Sequence, residues 1–124
     1  MKKLAYLIAT FVVLHCIGFS QRPSADAKKE LASLAKLEKA RNAAKADYAK
    51  HPKAAGAKAK FTKLNDEYAN QLMTTESLTP HQRYPKALSL YRESLKADPH
   101  DTEARKWVDE IESIYKSMHK PIPH

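Results

Sequence analysis

Residues 84–104 read YPKALSLYRESLKADPHDTEA, and this run decides the fold. Ala87, Tyr91 and Ser94 recur at steps of four and three, the spacing that places side chains on one face of a helix. Two of the three are small and the third is a large ring. Small residues let two helices approach closely, and a ring can fill the gap left beside them. Asp98-Pro99 then stops the helix, because proline lacks an amide hydrogen and disfavours helical geometry in the residue before it. Asp101 follows as the cap of a new helix. The run therefore reads as helix, break, helix, with tight packing on both sides of the break.

The rest of the chain is read outward from there. A last helix is expected over Thr102–Met118, with Ala104, Trp107, Val108, Ile111, Ile114, Tyr115 and Met118 on its apolar face. Residues 119–124, with Pro121 and Pro123, form a tail that cannot continue it. Upstream, Pro85 sets the start of a helix over Pro85–Ala97, whose stripe is Ala87, Leu88, Tyr91, Ser94 and Leu95. An irregular loop is expected over Thr74–Tyr84, although Thr79-Pro80-His81-Gln82 resembles a capping box with proline in the first turn. Ala57, Phe61, Leu64, Tyr68 and Leu72 mark a helix over Lys53–Met73. His51-Pro52 separates it from a first helix over Ala25–Lys50, capped by Ser24 or Asp26, with a stripe of Leu31, Leu34, Leu37, Ala40, Ala44 and Tyr48. The 124 residues include two glycines, too few for the turns of an all-β fold. The expected architecture is all-α, about four antiparallel helices in one small domain over residues 28–118.

The small-aromatic-small-proline order of Ala87, Tyr91, Ser94 and Pro99 resembles the second helix of a tetratricopeptide repeat, and His100-Asp-Thr-Glu-Ala104 resembles the start of the next repeat. The match covers residues 84–114. It implies helical hairpins in which Ala87, Tyr91, Ser94, Leu95, Pro99, Ala104 and Val108 make the packing contacts. It also implies a concave face that holds a peptide or a partner helix. Upstream the spacing differs: Pro52 and Pro99 are 47 residues apart, against a repeat period of about 34. A plain four-helix bundle using the same alanine and tyrosine packing is the alternative architecture.

The N-terminus reads as an export signal. Lys2 and Lys3 precede an apolar run, Leu4 to Phe19, shorter than the roughly 20 residues of a membrane-spanning helix. Ala25-Asp26-Ala27 fits a small-x-small cleavage pattern, which makes residues 1–27 a signal peptide; Gly18-Phe19-Ser20 is a second candidate site. If uncleaved, the run is a membrane anchor. The chain's one cysteine, Cys16, lies in Val-Leu-His-Cys, where a lipidation motif requires a small residue in the place of His15. Cleavage would remove that cysteine, so no disulfide is implied.

Charge is concentrated. Residues 28–60 hold ten bases and three acids, whereas residues 61–124 hold nine bases and ten acids. A basic first helix, with Lys28, Lys29, Lys36, Lys39 and Lys50 on one face, suits an anionic polymer or membrane surface. No histidine pair stands at the spacing of two metal ligands on one helix turn, and no HExxH occurs. No nucleophile motif or glycine-rich phosphate loop is present. The expectation is a non-catalytic module with no cofactor, a protein or peptide partner, and the capacity to self-associate; nucleic acid is not expected after export. Tyr84 and Tyr115, near helix ends, are the candidate apolar contacts, and Lys36 and Lys39 the candidate charged ones.

Overall fold

The computed structural model describes residues 24–124. Residues 1–23 of the expected signal peptide, with Cys16 and the Gly18-Phe19-Ser20 site, lie outside the described residues, whereas Ala25-Asp26-Ala27, the other expected cleavage site, opens the first helix. Four α-helices follow one another: α1 (Ala25–Lys50), α2 (Ala55–Thr74), α3 (Pro80–Ala97) and α4 (Thr102–Ser117). The fold is all-α, with no strand among the described residues.

Local chemistry sets the breaks. Ser24 caps α1, its hydroxyl accepting from the Ala27 amide at 3.1 Å. After α1, Pro52 takes the second position of a turn in which the Ala54 amide donates to the His51 carbonyl, a place that suits its fixed φ. That turn delays α2 to Ala55, two residues later than the proline alone predicts. Asp101 caps α4 by accepting from the Ala104 amide at 3.0 Å.

The start of α3 departs from the sequence expectation. The helix begins at Pro80, not Pro85, so much of the expected loop is helical. Thr79 and Gln82 decide this: the Gln82 side-chain oxygen accepts from the Thr79 amide at 2.9 Å, and Pro80 occupies the first helical position, where its missing N–H costs nothing. Pro85 lies inside the helix. It denies a donor to the His81 carbonyl, but His81 is exposed and water can serve that oxygen.

The helices pack mainly on their chain neighbours: α1 on α2, α2 on α3, α3 on α4. No comparable contact closes α4 back onto α1. Consequently the two inner helices carry most of the core: α2 buries Phe61, Tyr68, Ala69 and Leu72, and α3 buries Ala87, Leu88, Leu90, Tyr91 and Ser94. Ala87 sits at zero exposure, where a larger side chain would hold α3 away from its neighbours. Tyr91 is equally buried and stacks on Trp107, ring centroids 6.0 Å apart. Burying side chains such as Leu72, Leu88 and Ile111 stabilises the fold by about 1.5–3 kcal/mol each. Ala104 and Val108 of α4 are buried, Leu95 is half-buried, and Pro99 is exposed in the turn.

α1 is one of the two edge helices, and its buried stripe is narrower than its leucine and alanine pattern suggests. Leu34, Arg41 and Ala44 are buried, Leu37 and Tyr48 are half-buried, and Leu31 and Ala40 face solvent. On α4 the expected stripe ends one turn early, since Met118 is exposed.

The tail is irregular but docked. His119 adopts φ 53°, the His119 amide donates to the Lys116 carbonyl and the Lys120 amide to that of Tyr115. This paired arrangement ends a helix with a left-handed residue, with histidine here in the place usually taken by glycine. Ile122 then packs against the core, and Arg92 Nη1 donates to the Pro123 carbonyl at 2.6 Å.

Candidate functional site

Docking of the tail creates a groove. The beginning of α3 supplies Thr79, Pro80, His81, Tyr84 and Pro85; the end of α4 and the tail supply Tyr115, Met118, Lys120, Pro121 and Pro123. It encloses about 540 Å³. Tyr84 and Tyr115, singled out from their places near helix ends, thus meet in one groove although they are 31 residues apart in the chain. The early start of α3 matters here, because it turns residues 80–84 into an ordered wall. Arg83 fixes that wall to the end of α2: its Nη1 donates to the Met73 carbonyl at 3.0 Å, a favourable place for a cation at a helix C-terminus. The Tyr91 hydroxyl is used internally, donating to Asn70. Tyr84 is half-buried and the Tyr115 ring is part of the core at 8% exposure, and neither hydroxyl hydrogen-bonds to another described residue.

Lys36 and Lys39 do not line the groove. Both lie exposed on α1, within a face whose acids are engaged elsewhere. Glu30 accepts from the amide and hydroxyl of Ser77, and these bonds hold its carboxyl below the usual range. Glu38 pairs with Lys86 at 3.0 Å, and that bond lowers its pKa. Asp47 contacts His51 at 3.0 Å. Lys28, Lys29, Lys36, Lys39 and Lys50 have no acid within ion-pair distance among the described residues. A second, more open cleft of about 510 Å³ lies nearby, lined by Lys45, Tyr48, Phe61, Glu93 and Lys96.

The chemistry that periodicity alone missed is a polar network where α1, α2 and α3 meet. Arg41 is buried; its Nε donates to Asn65 Oδ1 at 2.7 Å, and its Nη2 contacts Glu93. Asn65 Nδ2 donates to the Leu90 carbonyl and to Ser94 Oγ, the latter at 2.9 Å. Ser94 Oγ in turn donates to Asp66 Oδ1 at 2.6 Å. Ser94 is therefore a relay between two polar side chains as well as a small packing residue. Burial pushes the Asp66 carboxyl up to about 7, opposed by the Ser94 bond and reinforced by Asp101 and Glu103. A carboxyl so perturbed can serve acid–base chemistry when it faces a cleft, but Asp66 lines neither the groove nor the cleft. Its neighbours are structural: a relay serine, a helix cap and a buried amide. One signal for the network was present in the chain: Arg41 and Asn65 fall at stripe positions, Arg41 between Leu37 and Ala44, Asn65 between Phe61 and Tyr68.

Among the described residues, no group of three or more His, Cys, Asp or Glu side chains could hold a metal ion, and no helix is long and apolar enough to cross a membrane. Comparison with known proteins finds no family model, curated protein or solved structure that matches this chain.

Proposed function

We propose that the chain is an exported, non-catalytic interaction module that holds a protein partner or peptide in the groove framed by Tyr84 and Tyr115. The observation that carries this reading is the groove itself: rigid apolar walls with two tyrosine hydroxyls that the protein does not use. Tyrosine at such a site combines a large contact area with a polar tip and is enriched among the dominant contacts of interfaces. The tetratricopeptide resemblance over residues 84–114 supports the same reading. So does packing of each helix chiefly on its chain neighbours, which leaves the ends of the array open. Self-association or docking onto a larger partner covers such ends; sedimentation over a range of concentrations reads this directly, and a strictly monomeric species counts against self-association.

The test is site-specific photocrosslinking in the exported compartment, with a photoreactive residue at position 84 or, separately, at position 36. Crosslinks from 84 that are absent from 36 support the groove. The reverse pattern supports a second reading, in which the basic face of α1 holds an anionic polymer or membrane. That reading rests on the lysines that lack acid partners. It predicts that binding is lost steeply as salt rises, whereas a partner in the apolar groove persists.

A further inference from the structure

We infer that the groove's occupant is an extended, proline-rich segment of a partner protein, carrying an acidic residue beside its prolines. The inference rests on the groove reading above and names the class of partner.

Three features of the groove point to it. The walls are rigid rings, prolines on both sides and a tyrosine on each. Rings of this kind bind best a ligand that is already stiff, and a polyproline segment is pre-extended without internal hydrogen bonds, so little order is lost on docking. The second feature is the polar inventory. The tyrosine hydroxyls, the His81 ring and the Lys120 amine are the polar side chains that remain to be matched, and the Thr79 hydroxyl already donates to Gln82. No carboxylate or side-chain amide lines the groove. Among its side chains Lys120 only donates, and the two hydroxyls and the His81 ring can donate as well as accept, so carbonyls of an occupant find partners; the His81 carbonyl that Pro85 leaves free is a backbone acceptor there. A β-strand ligand would bring an unpaired N–H at alternate residues, whereas a proline-rich strand brings carbonyls and few N–H groups. The third feature is charge: Lys120 is a cation, and no acid opposes it in the groove.

The protein's own tail already shows one half of this mode. Pro121-Ile-Pro123 lies along the α4 side of the groove, with Ile122 against the core and the Pro123 carbonyl held by Arg92 at 2.6 Å. A proline-flanked irregular segment whose carbonyl takes a cationic donor is thus seated beside Tyr115. The partner segment would lie between the two walls, with its carbonyls on the Tyr84 hydroxyl of one and the Tyr115 hydroxyl of the other and its acid toward Lys120.

The purified full chain is titrated with two synthetic peptides of equal length, about 16 residues so that the control can be helical, and equal net charge: an acidic-flanked proline-rich peptide, and an alanine- and leucine-rich helix former. Binding is read by amide shifts in nuclear magnetic resonance. The proline-rich peptide is expected to shift residues 79–85 and 115–123, and Tyr84→Phe, which keeps the ring packed, to weaken it about threefold or more. Lys120→Glu is expected to weaken it about tenfold, with the melting temperature unchanged in both variants. If the helix former binds the groove and the proline-rich peptide does not, this inference falls while the groove reading stands. If neither peptide shifts those residues, the inference falls as well, and crosslinking from position 84 decides the groove reading separately.

Discussion

Replacing Asp66 by asparagine should make the protein more stable at neutral pH, an unusual outcome for a buried polar side chain. Asp66 is 9% exposed and is held at 2.6 Å by Ser94, with Asp101 and Glu103 as like-charged neighbours. Its carboxyl titrates at about 7 in the folded protein, against about 4 in an unfolded chain. The sign follows from linkage. Between those values the folded state binds a proton that the unfolded state has lost, so stability is greatest below about pH 4 and declines as pH rises through 7. The full difference corresponds to roughly 4 kcal/mol. Water at the edge of the site and sharing of the proton with Asp101 reduce it, which leaves roughly 2–4 kcal/mol. Asparagine keeps the geometry without the charge: its oxygen accepts from Ser94 and its amide can donate to Asp101. Asp66→Asn should therefore match the parent at pH 4 and exceed it by that amount at pH 8, a shift of about 10 °C or more in melting temperature for a domain of this size.

The assay is urea unfolding of both proteins from pH 4 to pH 8, read as the difference between them. Taking the difference removes the opposing contribution of Glu38, whose lowered pKa stabilises the fold above the unfolded carboxylate range and is lost as pH falls. Asp101→Asn supplies a second arm. Asparagine is as good a cap as aspartate, so α4 should remain capped while the like charge beside Asp66 disappears and the pH dependence shrinks. A difference between parent and Asp66→Asn that stays constant to within about 0.5 kcal/mol over the whole range refutes the reasoning, because it means that Asp66 is ionised throughout.

Three further perturbations follow from the packing. Arg41→Ala leaves the Asn65 oxygen and Glu93 without their buried partner and should cost about 2–4 kcal/mol in urea unfolding; a loss under about 0.5 kcal/mol would mean that the network adds nothing. Ala87→Leu inserts a larger side chain at a position of zero exposure and should cost about 1–3 kcal/mol, with near-ultraviolet circular dichroism reporting disturbance of the Tyr91–Trp107 stack. Arg92→Ala removes the donor to the Pro123 carbonyl and the 3.0 Å pair with Glu112. It should expose residues 119–124 to carboxypeptidase and amide exchange while lowering global stability by about 1 kcal/mol or less; unchanged protection of the Lys120 amide would show that the helix-end bonds and Ile122 alone hold the tail.

How much of this was legible in the chain varies by element. The proline stops at Pro52 and Pro99 and the caps at Ser24 and Asp101 were readable because capping and breaking are local chemistry. The start of α3 was misplaced because two local signals compete at residues 79–85. Pro85 forbids one hydrogen bond, whereas the Thr79–Gln82 pair and Pro80 satisfy the first turn, and the missing bond falls on a carbonyl that water can reach. The leucine and alanine pattern of α1 overstates its buried stripe because alanine favours helix whether buried or not; an edge helix buries only a narrow strip, so Ala40 carries no information about facing. The polar network was not legible as a network, since Arg41, Asn65 and Glu93 are separated by 24 and 28 residues and no linear pattern pairs them. Yet the choice of serine at position 94 held a clue. Alanine would satisfy the steric demand for a small residue; a hydroxyl there signals a polar partner across the helix crossing, and Asp66 and Asn65 are those partners.

The positions of network and groove make stability and binding separable. Asp66 meets α4 at its N-cap, Asp101, whereas the groove uses the last turn, at Tyr115 and Met118. Tyr115 lies fourteen residues beyond Asp101, about 21 Å at 1.5 Å per residue. Substitutions that far apart without shared partners usually act additively. The Asp66→Asn background should therefore raise stability without altering the groove, so that loss of a peptide in a groove variant reads as lost recognition and not as partial unfolding. Should Asp66→Asn itself change peptide affinity more than about twofold, α4 does not act as a rigid spacer, and the two ends of that helix must be treated as one coupled unit.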